Sequence, residues 1–156
     1  MFIGPFTRGG DWQDTGMQGI WRFLNRLWKT VSDSDLQKNT NEKILVLKQK
    51  TIKSVTEDLE NLRYNTAISG LMEYLNALED GENKNKEDLE TLLLLLSPFA
   101  PYITEELWHK LGNKDSIHNQ SWPEYDSQFI KDKRVILIIQ INGRVRDKVE
   151  IEADIS

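Results

Sequence analysis

Cysteine is missing from all 156 residues, which excludes a disulfide framework and any thiolate metal site. Histidine is scarce: His109 and His118 are too few for most histidine-built metal centres. Long apolar runs are missing too. The run Leu92 to Leu96 is bounded by Thr91 and Ser97 and falls far short of the roughly 20 residues of a membrane helix. The N-terminus has no basic segment ahead of an apolar one, so it does not read as a signal peptide. A soluble, cytoplasmic protein in a reducing setting, with no membrane partner, is the expectation. Positive charge is not in excess, because 20 Lys and Arg face 25 Asp and Glu for a net charge of -5. Indiscriminate nucleic-acid binding is thereby disfavoured, although an acidic total can coexist with a local basic face.

Catalytic patterns are lacking as well. The chain has no glycine-rich phosphate loop, no Ser/His/Asp spacing and no cluster of histidine and carboxylates at metal-ligand intervals, so no catalytic residue, metal or cofactor is assigned to it. Glu105 and Glu106 are adjacent on a predicted helix and point in different directions; first-turn carboxylates favouring the helix dipole are the expectation for them. His109 is expected to be a partly exposed structural histidine.

What is present is helical periodicity. With 38% apolar and 29% charged residues the composition is that of a globular domain of ordinary size. Residues 1–15, with Gly4, Pro5, Gly9 and Gly10, read as a connecting segment. The spacing predicts a first helix over about 17–31, with Ile20, Phe23, Leu24, Leu27 and Val31 on one face, and Ser32 to Asp35 breaking the pattern. A second helix is expected over 41–62, with Leu45, Ile52, Val55, Leu59 and Leu62 as its stripe. The third carries Ile68, Leu71, Leu75 and Leu78, with Asn65 as N-cap, and a polar loop follows from Gly81 to Lys86. A leucine-rich fourth helix over 87–97 is separated by the Pro98 and Pro101 bend from a fifth over 101–111, which Gly112 ends. The expected fold class is mainly α: an antiparallel five-helix bundle over 16–112, then a loop-rich crossover over 113–134.

Residues 135–156 switch to strand periodicity around Asn142-Gly143, the residues a type I′ turn demands. A two-residue turn predicts Ile141 opposite Arg144, Ile139 opposite Arg146 and Leu137 opposite Lys148. The first strand is then apolar on both faces, so this small β-hairpin needs cover from the bundle or from another domain.

Basic residues recur at helical spacing. Arg22, Arg26 and Lys29 lie opposite the apolar face of the first helix, with no acidic residue between Thr15 and Ser32, and Trp21 and Trp28 flank them. Lys43, Lys50 and Lys53 make a similar stripe on the second helix, with Lys48 nearby. Such stripes suit a phosphate backbone, and they equally suit a merely solvated face. Arg144, Arg146 and Lys148 on the second strand are open to the same two readings.

Several segments together are similar to one family. Trp12-Gln13-Asp14-Thr15-Gly16 with Arg22-Phe23-Leu24-Asn25-Arg26-Leu27-Trp28, then Arg63-Tyr64-Asn65-Thr66-Ala67-Ile68, resemble the C-terminal helical region of leucyl-tRNA synthetase, a class I aminoacyl-tRNA synthetase. Ser97-Pro98-Phe99-Ala100-Pro101-Tyr102 through Trp108 resembles a last-helix motif shared by the hydrophobic-amino-acid class I enzymes, and Ile139-Gln140-Ile141-Asn142-Gly143-Arg144 points to the leucyl branch. The resemblance implies an anticodon-binding-type helical bundle whose parent attaches leucine to tRNA(Leu) using ATP and Mg. The His-Ile-Gly-His and Lys-Met-Ser-Lys-Ser catalytic signatures of the parent do not occur here, so this stretch is expected to be inactive alone, a monomeric fragment whose catalytic and C-terminal domains lie elsewhere on the polypeptide. Because leucine is served by several anticodons, the family implies contacts to tRNA backbone and shape. Arg22, Arg26, Lys29, Lys50, Lys53, Arg63 and Arg144 are the resulting candidates for tRNA binding. A structural or interaction bundle that braces neighbouring domains is the competing reading.

Overall fold

The computed structural model describes residues 14–33, 36–37, 41–81, 84–130, 134–141 and 144–152, with 14, 15, 37, 134–141 and 144–152 as backbone alone. Most of the expected junction over 1–15 and the Asn142-Gly143 turn lie outside the described residues. The architecture is mainly helical: α1 (Asp14–Ser32), α2 (Glu42–Glu60), α3 (Tyr64–Asp80), α4 (Lys86–Leu96) and α5 (Pro101–Lys110). Two compact units divide the chain, one ending at Tyr125 and the other beginning at Asp126. No helix among the described residues is long and apolar enough to cross a membrane.

In the first unit α2 packs on α3, α3 on α4 and α4 on α5, while α1 touches both α3 and α5. The core is largely aliphatic, built on Leu27, Val55, Leu71, Leu75, Leu92 and Leu107, all fully buried. The leucine run of α4 is buried on most sides because α2, α3 and α5 all contact that helix; Leu94 alone of Leu92 to Leu96 is half-buried. Burying such side chains contributes about 1.5–3 kcal/mol each.

Local chemistry sets the helix ends. Asn41 Oδ1 accepts the Lys43 N–H at 2.9 Å to start α2, and Asn85 Oδ1 accepts the Glu87 N–H at 2.9 Å to start α4. Pro101 opens α5, where its missing N–H costs nothing, and Gly112 closes it at φ 88° with its N–H on the His109 carbonyl. Helix α2 ends in a Schellman motif: the Leu62 N–H reaches the Leu59 carbonyl at 3.1 Å and the Arg63 N–H reaches Asp58 at 2.7 Å. The left-handed position of that motif is held by Leu62, at φ 56° and with its side chain half out in solvent. A Cβ there costs about 1–2 kcal/mol, offset in part by the greater chain entropy of glycine. Leu62→Gly is therefore expected to stabilise the protein by about 0.5–1 kcal/mol, read as a raised thermal midpoint; a lower midpoint contradicts this account.

Several expectations need correction. Ile44, Lys48, Thr51, Ile52 and Val55 form the buried face of α2, whereas Leu45 and Leu59 are half-buried and Leu62 is exposed. Ile52 and Val55 belong to both sets, but Lys48 and Thr51 take interior positions that a stripe drawn through apolar residues passes over. Helix α3 begins at Tyr64, with Arg63 in the N-cap position and no side-chain cap, so Asn65 lies inside the helix. Its carbonyl accepts the Ser69 hydroxyl. Lys84 and Asn85, expected as loop, form β2, which pairs in parallel with β1 (Leu36–Gln37). A two-residue pairing between distant loops leaves no periodic trace in sequence.

In the second unit a 3-10 turn at Ser127–Phe129 precedes β3 (Arg134–Ile141) and β4 (Arg144–Glu152), which pair antiparallel. Ile141 does lie opposite Arg144, but the register then shifts between Ile139 and Gln140. Gln140 is opposite Val145, Ile139 opposite Asp147 and Leu137 opposite Val149, in place of the expected Ile139–Arg146 and Leu137–Lys148 pairs. The arrangement is a β-bulge with Arg146 as the additional residue, which breaks the regular alternation of Arg144, Arg146 and Lys148.

Candidate nucleic-acid interface

The basic residues of α1 differ in what they touch. Arg22 is exposed, and its Nε donates to the Gln18 carbonyl at 3.3 Å, one turn back. Lys29 is exposed in the last turn, where its charge also suits the helix dipole. Arg26 is engaged with α3: its Nε donates to Glu79 Oε2 at 3.1 Å, its Nη2 donates to the same oxygen, and it also donates to Asn76 Oδ1 at 2.5 Å. The Thr30 hydroxyl completes the site by donating to Glu79 Oε1 at 2.8 Å. Burial alone raises the Glu79 pKa, but the bonds from Arg26 and Thr30 outweigh it and hold the carboxyl below its ordinary range. Arg26 thus fastens α1 to α3.

On α2, Lys50 is half-buried and Lys53 lies 3.9 Å from Glu57 in a mostly exposed i,i+4 pair. Arg63 donates its Nε to Asp58 Oδ1 at 2.8 Å across the helix end. The Lys53–Glu57 pair, exposed on both sides, is worth under about 1 kcal/mol and can exchange its carboxylate for a phosphate, whereas the Asp58 carboxylate is mostly buried. The side chain of Arg144 lies outside what is described. Lys48 does not join the basic stripe: its side chain is buried, with Nζ 2.9 Å from both Asp88 and Glu87. Desolvation lowers its pKa, but the two carboxylates more than offset this and hold it above 10.5. Beside them the buried Tyr74 hydroxyl donates weakly to the Asp88 carbonyl at 3.4 Å, and burial drives its pKa well above the usual phenol range.

Folding adds one cation to the α1 face that sequence reasoning missed. Lys110, at the end of α5, sits with Nζ 4.5 Å from the centroid of the Trp28 ring and donates to Ser32 Oγ at 3.2 Å. Lys110 therefore lies beside the last turns of α1, at Trp28 and Ser32. No sequence signal could have found it, since the two segments meet only through packing. Trp28 is thus a cation-π partner, whereas Trp21 is 68% exposed and Met17 is exposed a turn earlier.

The expected first-turn carboxylates of α5 are also revised, since none lies in its first turn. Glu105 reaches across to the following loop. Its Oε2 accepts the Ile117 N–H at 2.9 Å and the Ser116 hydroxyl at 3.1 Å, while Oε1 lies 3.2 Å from His109 Nε2. These donors outweigh partial burial and lower the Glu105 pKa. His109, exposed as expected, is raised by the Asn113 carbonyl 2.9 Å from Nδ1 and further by Glu105. Among the described residues no group of three or more His, Asp or Glu could hold a metal ion.

The packed helical unit, not the basic face of α1, carries the class, because the match to a family begins after α1. Residues 41–156 match the anticodon-binding domain of tRNA ligase, and the chain belongs to that family. Its relatives narrow this further, because they are leucine–tRNA ligases. The chain is 42% identical to that of Dehalococcoides mccartyi over its whole length, and 44% identical to that of Chlorobaculum tepidum over 98% of it. It spans about a fifth of the length of those relatives, 20% in each case. Among solved structures it resembles the Agrobacterium radiobacter K84 agnB2 LeuRS in its ternary complex with tRNA and LeuAMS, with a TM-score of 0.72 and 26% identity over 94% of this chain and 22% of that one.

Proposed function

We propose that this chain is the tRNA-binding helical domain of a leucyl-tRNA synthetase, whose parent attaches leucine to tRNA(Leu) using ATP and Mg. The observation that carries the reading is identity above 40% along the whole chain to leucine–tRNA ligases, and the α1 basic face is consistent with it. Residues 16–112 act as an antiparallel five-helix bundle, residues 113–134 as a crossover and residues 135–156 as a β-hairpin leading onward. The domain is cytoplasmic and monomeric, has no catalytic role of its own, and works beside the catalytic and C-terminal portions of the same polypeptide.

Its contacts go to the tRNA backbone. Arg22 and Lys29, joined by Lys110, are the primary phosphate contacts; Lys50, Lys53, Arg63 and Arg144 are secondary, and Arg26 serves mainly to fix α1 on α3. Each Lys or Arg bound to a phosphate releases a counterion, so the slope of log K against log salt falls by about 1 for each contact removed. Arg22→Glu with Lys29→Glu is expected to weaken tRNA(Leu) binding and reduce that slope by about 2, measured by fluorescence anisotropy across a salt series. Salt-independent binding, or an unchanged slope in the double variant, overturns the reading. Absence of any binding favours a domain that braces its neighbours.

A further inference from the structure

Arg22, Arg26 and Lys29 recur on the outer face of α1, yet among the described residues Arg26 is the one of the three in an ion pair. Its guanidinium is drawn across to α3, where Nε and Nη2 both donate to Glu79 Oε2 and Nη2 donates also to Asn76 Oδ1. Two further groups keep Glu79 in place. The Thr30 hydroxyl holds Oε1 at 2.8 Å, and the charge of Lys84 adds to the attraction. Because these partners hold its carboxyl below the ordinary range, Glu79 stays ionised throughout neutral pH. The guanidinium itself is not hidden: the Arg26 side chain is 47% exposed, against 5% for the lysine of the buried Lys48–Asp88 pair. An RNA lying along α1 therefore meets Arg26 within reach, but with its donors directed at a carboxylate.

A charge-assisted bond to a carboxylate is about twice as strong as a neutral one, and it occupies the same N–H groups that a phosphate would use. While it holds, Arg26 releases no counterion when RNA binds and adds nothing to the salt dependence. The geometry points to Glu79 as an internal competitor that withholds Arg26 from RNA phosphate and so limits the affinity of the α1 face. This inference rests on the tRNA-binding reading and adds to it a control on the same site. A carboxylate does this without loosening the fold, since the same bonds that occupy Arg26 fasten α1 to α3. Weaker binding means faster dissociation, and release limits turnover in many enzymes.

A double-variant cycle separates the release of Arg26 from the mere loss of a negative charge. The unaltered chain, Glu79→Gln, Arg26→Ala and the combination of the two are titrated against a tRNA(Leu) transcript across a salt series. Glutamine keeps an acceptor for Thr30 but holds the guanidinium less strongly. Glu79→Gln is expected to bind about fivefold tighter near 0.1 M salt, with the slope of log K against log salt steeper by about 1. In the Arg26→Ala background the same substitution is expected to leave the slope unchanged. Thermal midpoints identify a variant that fails to fold. Glu79→Asp, which keeps the charge and shortens its reach, then carries the test with the same expected gain. Unchanged Kd and slope in a folded Glu79 variant overturn the inference and leave the tRNA reading standing. A gain that persists without Arg26 overturns it too, by assigning the effect to general repulsion. Absence of binding by the unaltered chain and every variant removes both.

Discussion

Lys48→Ala is expected to lower the unfolding free energy by about 3–5 kcal/mol, read by urea denaturation, because it leaves the Asp88 carboxylate buried without its counter-charge. Asp88 is only 2% exposed, whereas Glu87, the other partner, is largely in solvent and loses little. The pair need not stabilise the fold relative to apolar residues. Lys48→Met combined with Asp88→Leu should recover most of the loss, since removing both charges removes the desolvation cost of each. A single variant within about 1 kcal/mol of the parent would place the ion pair among weak surface contacts. The pH dependence follows from the raised Lys48 pKa: this contribution is complete below 10.5, the unfolded value, and is lost only as pH rises through the folded pKa.

The second large effect is Ile52→Ala, for which a cost of about 2–5 kcal/mol is expected from lost burial and the cavity left behind. Ile52 is 3% exposed and belongs to the main core cluster. Leu62→Ala is the matched control. Both residues sit in the same apolar stripe of the sequence, yet Leu62 is half in solvent and its truncation is expected to stay within about 0.5 kcal/mol. Equal losses at the two positions would restore the stripe read from the sequence.

These contrasts show where the sequence was legible. Helical periodicity located the helices, and Pro101 and Gly112 marked the ends of α5, because propensity and capping act over a few neighbouring residues, whereas the cap expected at Asn65 fell inside α3. The α3 face, Ile68, Leu71, Leu75 and Leu78, was legible for the same reason. The α2 face was legible only in part, at Ile52 and Val55, because Lys48 and Thr51 are buried and a pattern based on hydrophobicity passes over them. The bulge at Arg146 was hidden as well: a two-residue turn fixes register only while both strands advance together.

The candidate interface divides along the same line. Arg22, Arg26 and Lys29 were visible as a helical stripe, and the family motifs gave that stripe a partner. Only the tertiary structure assigned Arg26 to Glu79 and brought Lys110 to Trp28. Likewise, a cleft lined by Leu94, Pro101 and Trp122 joins residues from α4, α5 and the loop beyond. The sequence by itself determined helix placement and family, because these follow from local spacing and ordered motifs. Which charges meet, which are buried and which stay in solvent depends on contacts between distant segments, and packing alone decided that.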